Sequence, residues 1–289
     1  MKPQRAFVVV TDVDGCLVDH RTYSHADADP AVRRLKAADI PLVLCSSKTR
    51  AELERLREEM GLTSPFVVEN GGALYVPVGT FPAGVLGARH VPGYDVLEFG
   101  RPRDEVVAKL LQISARLGIE VSSFSGMSVD RVAEECGLSL AQARLAKLRE
   151  YDEPFRLVEP DPFARTKLWR ALRGVGLRCS AGGRYDHVTG RTDKGIPVPI
   201  LRRLYAPAAG EVVMVGLGDS LNDLELLNAV DIPVVVRNSA AGTWESLQRQ
   251  VRGAWVTGRD GPAGWNEAIG SLLDAEVGAH DNAFARSAH

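Results

Sequence analysis

No stretch of this chain approaches the roughly 20 consecutive apolar residues of a membrane-spanning helix, so no transmembrane segment is expected. An excess of one charge is missing too. Across 289 residues, 35 Lys and Arg face 37 Asp and Glu, a formal net charge of −2. That balance gives no reason to expect nucleic acid or an anionic membrane as a partner, although a local basic cluster could hold a small anion. Cysteine is scarce: Cys16, Cys45, Cys136 and Cys179 form no C-x-x-C pair and no Cys/His grouping with zinc-ligand spacing. Cys45 follows Leu42-Val43-Leu44 and reads as a small buried hydrophobe. Cys16 is not expected to be a nucleophile, because Asp12 is better placed for that role. The first residues, Met1-Lys2-Pro3-Gln4-Arg5, lead into a strand rather than the apolar core of a signal peptide, and a cytoplasmic protein is expected. No internal repeat stands out, and oligomeric state leaves no mark on the sequence.

What is present begins with Phe7-Val8-Val9-Val10, a β-branched run that reads as a buried strand. Asp12-Val13-Asp14-Gly15 stands where that run breaks off, and Gly15 lets the chain turn sharply. Two carboxylates two positions apart would then project from the carboxyl end of a strand, where open α/β sheets place their active sites.

The pattern around this motif alternates strand and helix. Pro30 to Ala38 reads as a helix, Leu42 to Ser46 as a strand, and Pro65 to Glu69 as a third strand closed by Asn70-Gly71-Gly72. Between the last two, Thr49-Arg50-Ala51-Glu52 has capping-box spacing and opens a stripe of Leu53, Leu56 and Met60. The same style returns with a strand at Glu211 to Leu217, a helix at Asn222 to Ala229, a strand at Ile232 to Val236 and a helix at Gly264 to Leu273. This order predicts an α/β fold with a Rossmann-like, doubly wound parallel sheet. In between the texture changes: scattered Gly and Pro, helices at Asp104 to Leu117 and Leu140 to Glu150, and short strand-like runs. The expected organisation is a core of residues 1–80 and 190–278, an inserted α/β domain at 81–189, and a disordered tail at 279–289.

Four elements carry chemistry. They are the pair Asp12 and Asp14; Ser46, at the end of its strand and followed by Ser47-Lys48-Thr49; Lys194, in Thr192-Asp193-Lys194-Gly195 and expected to open a helix; and Gly218-Asp219-Ser220-Leu221-Asn222-Asp223 after the strand that ends at Leu217. Together they fit phosphoryl transfer, where an anion attacks an anion and the protein supplies positive charge and in-line positioning. Asp12 would be the nucleophile, and Asp14 would protonate the leaving oxygen and then activate water. Asp12, Asp219 and the main-chain carbonyl of Asp14 would hold Mg²⁺, with Asp223 bound through water or orienting the other ligands. Lys194 would offset charge between Asp12 and the phosphate, helped by the Ser46 hydroxyl. Simpler readings fit less well. An EF-hand would need glycine and glutamate where Leu17 and Tyr23 stand, and a dinucleotide loop would need glycine where Leu221 stands. Alone, Lys194 would be a solvated surface lysine and Ser46 an ordinary helix-entry residue.

These motifs resemble those of the haloacid dehalogenase superfamily of aspartyl phosphatases, in the branch with a large α/β cap between the second and third motifs. Cys45-Ser46-Ser47-Lys48-Thr49, Val68-Glu69-Asn70-Gly71-Gly72, Arg149-Glu150-Tyr151, Gly183-Arg184-Tyr185-Asp186-His187 and the run Gly258 to Trp265 are similar to the mannosyl-3-phosphoglycerate phosphatase family. One departure is Cys16, where threonine is common in the family. The resemblance implies a small phosphorylated sugar-glycerate as substrate and a cap that recognises its hexose and glyceryl carboxylate. It implies that Ser47, Lys48, Glu69, Asn70, Gly71 and Gly72 line the substrate cleft. Arg149 and Arg184 are then candidates for carboxylate or hydroxyl contacts, though each could equally complement a helix dipole in solvent. His187 could reach substrate or pack structurally. Other phosphatases of the branch, acting on glucosyl-3-phosphoglycerate or sucrose phosphate, a phosphomutase, and a non-catalytic anion-binding module are the alternatives; the last would need neither nucleophile nor proton donor.

Overall fold

The computed structural model describes residues 5–182, 184–240 and 242–287; the side chains of residues 5, 207–209 and 276–287 lie outside the description. Gly183, the last two residues of the expected tail, 288 and 289, and the side chains of 279–287 therefore fall outside what is described. In chain order the elements are β1 (Arg5–Thr11), α1 (Asp29–Ala37), β2 (Leu42–Cys45), α2 (Arg50–Glu59), β3 (Phe66–Val68), β4 (Ala73–Pro77), β5 (Arg89–Val91) and β6 (Tyr94–Glu98). Then come α3 (Arg103–Leu117), β7 (Val121–Ser123), α4 (Val129–Cys136), α5 (Leu140–Ala146), β8 (Asp152–Leu157), α6 (Pro162–Gly174), β9 (Arg178–Ala181) and β10 (Asp186–Thr189). The chain closes with α7 (Val198–Ala209), β11 (Glu211–Gly218), α8 (Leu224–Ala229), β12 (Ile232–Arg237), α9 (Trp244–Gln250), β13 (Trp255–Asp260) and α10 (Gly261–Ser287). It divides into two compact units, Met1–Val43 with Tyr205–His289, and Leu44–Leu204. β2 and α7 run across the two divisions.

The first unit is a parallel sheet in the order β13-β12-β11-β1. Val8 and Val10 are fully buried, as are Val234 to Val236, which is why these runs are apolar throughout rather than alternating. Trp265 of α10 is completely buried and donates its indole N–H to Thr11 Oγ1 at 2.9 Å. Asn266 accepts the Ala31 N–H in the first turn of α1 at 2.9 Å. One helix thus fixes the end of β1, next to Asp12, and the start of α1.

In the second unit β2 pairs with β3 in parallel, and β3-β4-β6-β5 continue as an antiparallel series. That antiparallel series was not anticipated. A separate antiparallel sheet, β7-β8-β10-β9, packs α3 and α6 over Val106, Leu110, Phe155, Leu168, Leu172 and Val188. α2 has the predicted capping box: Thr49 Oγ1 accepts the Glu52 N–H at 3.2 Å and Glu52 Oε2 accepts the Thr49 N–H at 2.9 Å. Two expected elements differ. α5 stops at Ala146 rather than Glu150, because the Glu150 N–H, which a longer helix would point at Ala146, is given to Glu69 at 2.8 Å. Lys194 sits in a turn before α7 rather than opening it; α7 starts four residues later, just past Pro197.

Candidate active site

In the first unit, β1 and β11 end side by side, with the Asp12 N–H donating to the Leu217 carbonyl at 2.9 Å. Asp12, Asp219 and Asp223 are buried, and each offers one oxygen within 4.8 Å of the other two. Asp223 Oδ2 accepts the N–H groups of Asp219 and Ser220 at 3.1 and 3.2 Å, folding the 219–223 turn onto itself. Asn238, at the end of β12, donates Nδ2 to Asp219 Oδ2 at 2.6 Å. Gly15 has φ +79°, and a Cβ on it would lie 2.8 Å from Asp219 Oδ2, so glycine is required there by conformation and by space. Three carboxylates this close repel one another. A divalent cation that prefers hard oxygen ligands relieves that repulsion while using the same oxygens, so the donor set fits such a metal. Asp14, half-buried, stands in the tight turn closed by the Gly15 N–H to the Val18 carbonyl at 2.9 Å. Cys16 is fully buried, and burial, then Asp12 and Asp219, push its thiol well above its ordinary range. A thiol held protonated is a poor nucleophile.

In the second unit, Ser46 follows β2 and is completely buried; its Oγ accepts the Lys48 N–H at 3.2 Å and its carbonyl accepts the Asn70 N–H at 2.9 Å. Lys194 is 1% exposed, which removes the surface-lysine alternative, since a buried ammonium is held only where anions answer it. Its carbonyl accepts the Cys45 thiol at 3.8 Å, bringing it beside the β2 end that carries Ser46.

Glu69, Asn70 and Gly71 form a left-handed run with φ of +49°, +57° and +85°. Two consecutive non-glycine residues in that region are strained, and the surroundings must hold them. The Glu69 carboxylate does so by accepting the N–H groups of Glu150, Tyr151 and Asp152, each at 2.8 Å. Burial pushes Glu69 up to about 7, against the opposing pull of Arg149. Gly71 and Gly72 give their N–H groups to the Val68 carbonyl, and the close approach they allow is to protein: Asp193 lies over Gly71, and Tyr151 Cβ would be 2.6 Å from a Cβ on Gly72.

Arg149 is buried, with Nη1 donating to the Ser47 carbonyl at 3.1 Å, so it does not complement a helix end in solvent. Arg184 is exposed and donates to the Glu135 carbonyl at 2.8 Å in the last turn of α4. Asp152 and Asn238 were not singled out from the sequence. Asp152 accepts from Asn70 and His187, and although burial opposes it, His187 and Arg149 hold its carboxyl below the usual range. The available signal was Asp152-Glu153, two adjacent acids opening the strand Asp152–Leu157, whose Phe155 and Leu157 are buried.

Residues 9–78 match the haloacid dehalogenase-like hydrolase family. A glucosyl-3-phosphoglycerate/mannosyl-3-phosphoglycerate phosphatase of Methanococcoides burtonii is 40% identical over 92% of this chain and 97% of its own length. One of the same name from Persephonella marina is 34% identical over 92% and 97%. Among solved structures, a Thermoplasma acidophilum protein shares the fold with TM-score 0.64 and 17% identity, over 94% of this chain and 98% of that one. Identity at this level over nearly the whole length decides the family: the chain belongs to the glucosyl-3-phosphoglycerate/mannosyl-3-phosphoglycerate phosphatases of the haloacid dehalogenase-like hydrolases, and is a phosphoric monoester hydrolase.

Proposed function

We propose that this chain is a Mg²⁺-dependent phosphatase that hydrolyses 2-O-mannosyl-3-phosphoglycerate to mannosylglycerate and phosphate. The observation that carries the reading is the convergence of three buried carboxylates, Asp12, Asp219 and Asp223, at the carboxyl ends of β1 and β11. Two relatives that are named for both hexosyl-3-phosphoglycerates support the substrate, with the glucosyl compound as the second reading.

In the proposed reaction an Asp12 oxygen attacks phosphorus and the ester P–O bond breaks as Asp14 gives its proton to the departing glyceryl oxygen. The product is mannosylglycerate, and the phosphoryl group is left on Asp12. Asp14, now ionised, takes a proton from water, whose oxygen attacks phosphorus and frees Asp12 and inorganic phosphate. Asp12, Asp219, Asp223 and the Asp14 carbonyl would hold the Mg²⁺, which supplies positive charge against the repulsion between Asp12 and the phosphate. Ser46 is assigned a phosphate oxygen to donate to, and Lys194 the compensation of its charge; Ser47, Lys48, Glu69, Asn70, Gly71, Gly72, Arg149 and Arg184 are assigned to substrate binding. We read residues 81–189 as the domain of selectivity, 1–80 with 190–278 as the domain of chemistry, and the cytoplasm as the site of action. Among the described residues no helix is long and apolar enough to cross a membrane.

Asp12→Asn tests the nucleophile. Turnover is expected to fall by more than about a thousandfold with substrate binding by calorimetry retained; hydrolysis at near-normal rates would refute the assignment.

A further inference from the structure

Three polar side chains of the second unit meet on one completely buried carboxylate. Asp152 accepts from Asn70 Nδ2 at 2.8 Å and from His187 Nδ1 at 2.9 Å, and lies 3.5 Å from Arg149 Nη1. A carboxylate can only accept, so the far end of each partner is fixed by chemistry. Asn70 must turn its amide nitrogen to Asp152 and its Oδ1 away; His187 must carry a proton on Nδ1, which directs Nε2 away.

Two of these far ends are bare. Asn70 Oδ1 and Arg149 Nε are buried and make no hydrogen bond among the described residues. Buried polar atoms are normally bonded, so unpaired ones call for a group that completes them. Gly182 packs against the His187 ring, so closely that a Cβ on it would stand 2.9 Å from Nε2. The cluster is tied to the segment that carries Ser46, since Asn70 donates its N–H to the Ser46 carbonyl and Arg149 donates to that of Ser47. The phosphoryl transfer itself uses none of these atoms.

We infer that Asp152 is a positioning residue for the non-phosphate part of the substrate: it holds Asn70, Arg149 and His187 so that Asn70 Oδ1, His187 Nε2 and Arg149 Nε meet the oxygens of a hexosyl-glycerate. One acceptor, one cationic donor and an imidazole Nε2 that accepts when neutral and donates when protonated match a polyol, whose hydroxyls both give and accept, better than they match a simple anion. This inference rests on the substrate reading above, in which selectivity lies away from the phosphate.

The test is the ratio of kcat/KM for mannosyl-3-phosphoglycerate to that for p-nitrophenyl phosphate, which has neither hexose nor glycerate. The wild-type ratio is measured first, then that of Asp152→Asn. Because Asp152→Asn strips a buried hub and can cost folding, His187→Asn is the second variant; its amide keeps a donor near the place of Nδ1 and deletes Nε2. In each folded variant the ratio is expected to fall by roughly tenfold or more, with the loss carried by KM for the mannosyl compound. A merely structural role would lower both substrates together, and an unchanged ratio in a folded variant overturns the inference while leaving the substrate reading intact. A wild type with no preference for the mannosyl compound overturns the substrate reading, and this inference falls with it.

Discussion

A carboxylate taken out of water has to be answered atom by atom, and Glu69 is answered by three successive backbone N–H groups. Its carboxyl is nevertheless pushed up to about 7, chiefly by burial. A raised acid pKa means the folded state holds a proton that the unfolded chain has released. The stabilisation is therefore fully present below about 4.5 and is lost as pH rises through about 7. Glu69→Gln cannot titrate, and it turns an amide NH₂ toward one of the N–H groups, so it is expected to be destabilised by about 1–3 kcal/mol near pH 5. The gap between the wild type and this variant should narrow between pH 4.5 and 7 in urea melts. A gap that widens with rising pH would mean that Glu69 is ionised throughout. At this scale legibility followed distance along the chain. Asp12 and Asp219 could be read because each directly follows its own apolar run. Asp152 could not, because its partners Asn70 and His187 lie 82 and 35 residues away.

At the scale of elements, local signals that agree with burial were readable and those that compete with it were not. The capping box at Thr49 and the apolar strands β1, β2, β11 and β12 carry their own instructions. β13 does not: Trp255-Val256-Thr257-Gly258-Arg259-Asp260 begins apolar and ends polar, as an edge strand can. α6 was missed although Asp161 caps it, Pro162 opens it, and Leu168 and Leu172 share its buried face. The turn Glu69–Asn70–Gly71 shows how tightly a short element can be determined. Gly71→Ala would place a Cβ in a left-handed residue and over the Asp193 carbonyl, and is expected to cost more than about 2 kcal/mol. Gly84→Ala has similar left-handed strain, φ +68°, but open space around it, and should cost only about 1 kcal/mol. Equal losses in urea denaturation would show that the contact with Asp193 does not constrain the turn.

At the scale of the whole molecule, the near-balanced charge gives no reason to expect nucleic acid or membrane as a partner, and four motifs in order along the chain point to a phosphatase of the haloacid dehalogenase type. The choice of hexose was not legible. Mannose and glucose differ in the orientation of one hydroxyl, and a distinction that small is made by the placing of a few polar atoms from residues distant in sequence. The chemistry, in contrast, needs particular residue types at strand ends, and those are written in the sequence directly. The most direct measurement is phosphate release, with and without Mg²⁺, from mannosyl-3-phosphoglycerate, glucosyl-3-phosphoglycerate, sucrose phosphate and 3-phosphoglycerate. Metal-dependent release is expected, with kcat/KM for the mannosyl compound roughly tenfold or more above sucrose phosphate and 3-phosphoglycerate. Release that ignores Mg²⁺, or a preference for sucrose phosphate, would contradict it.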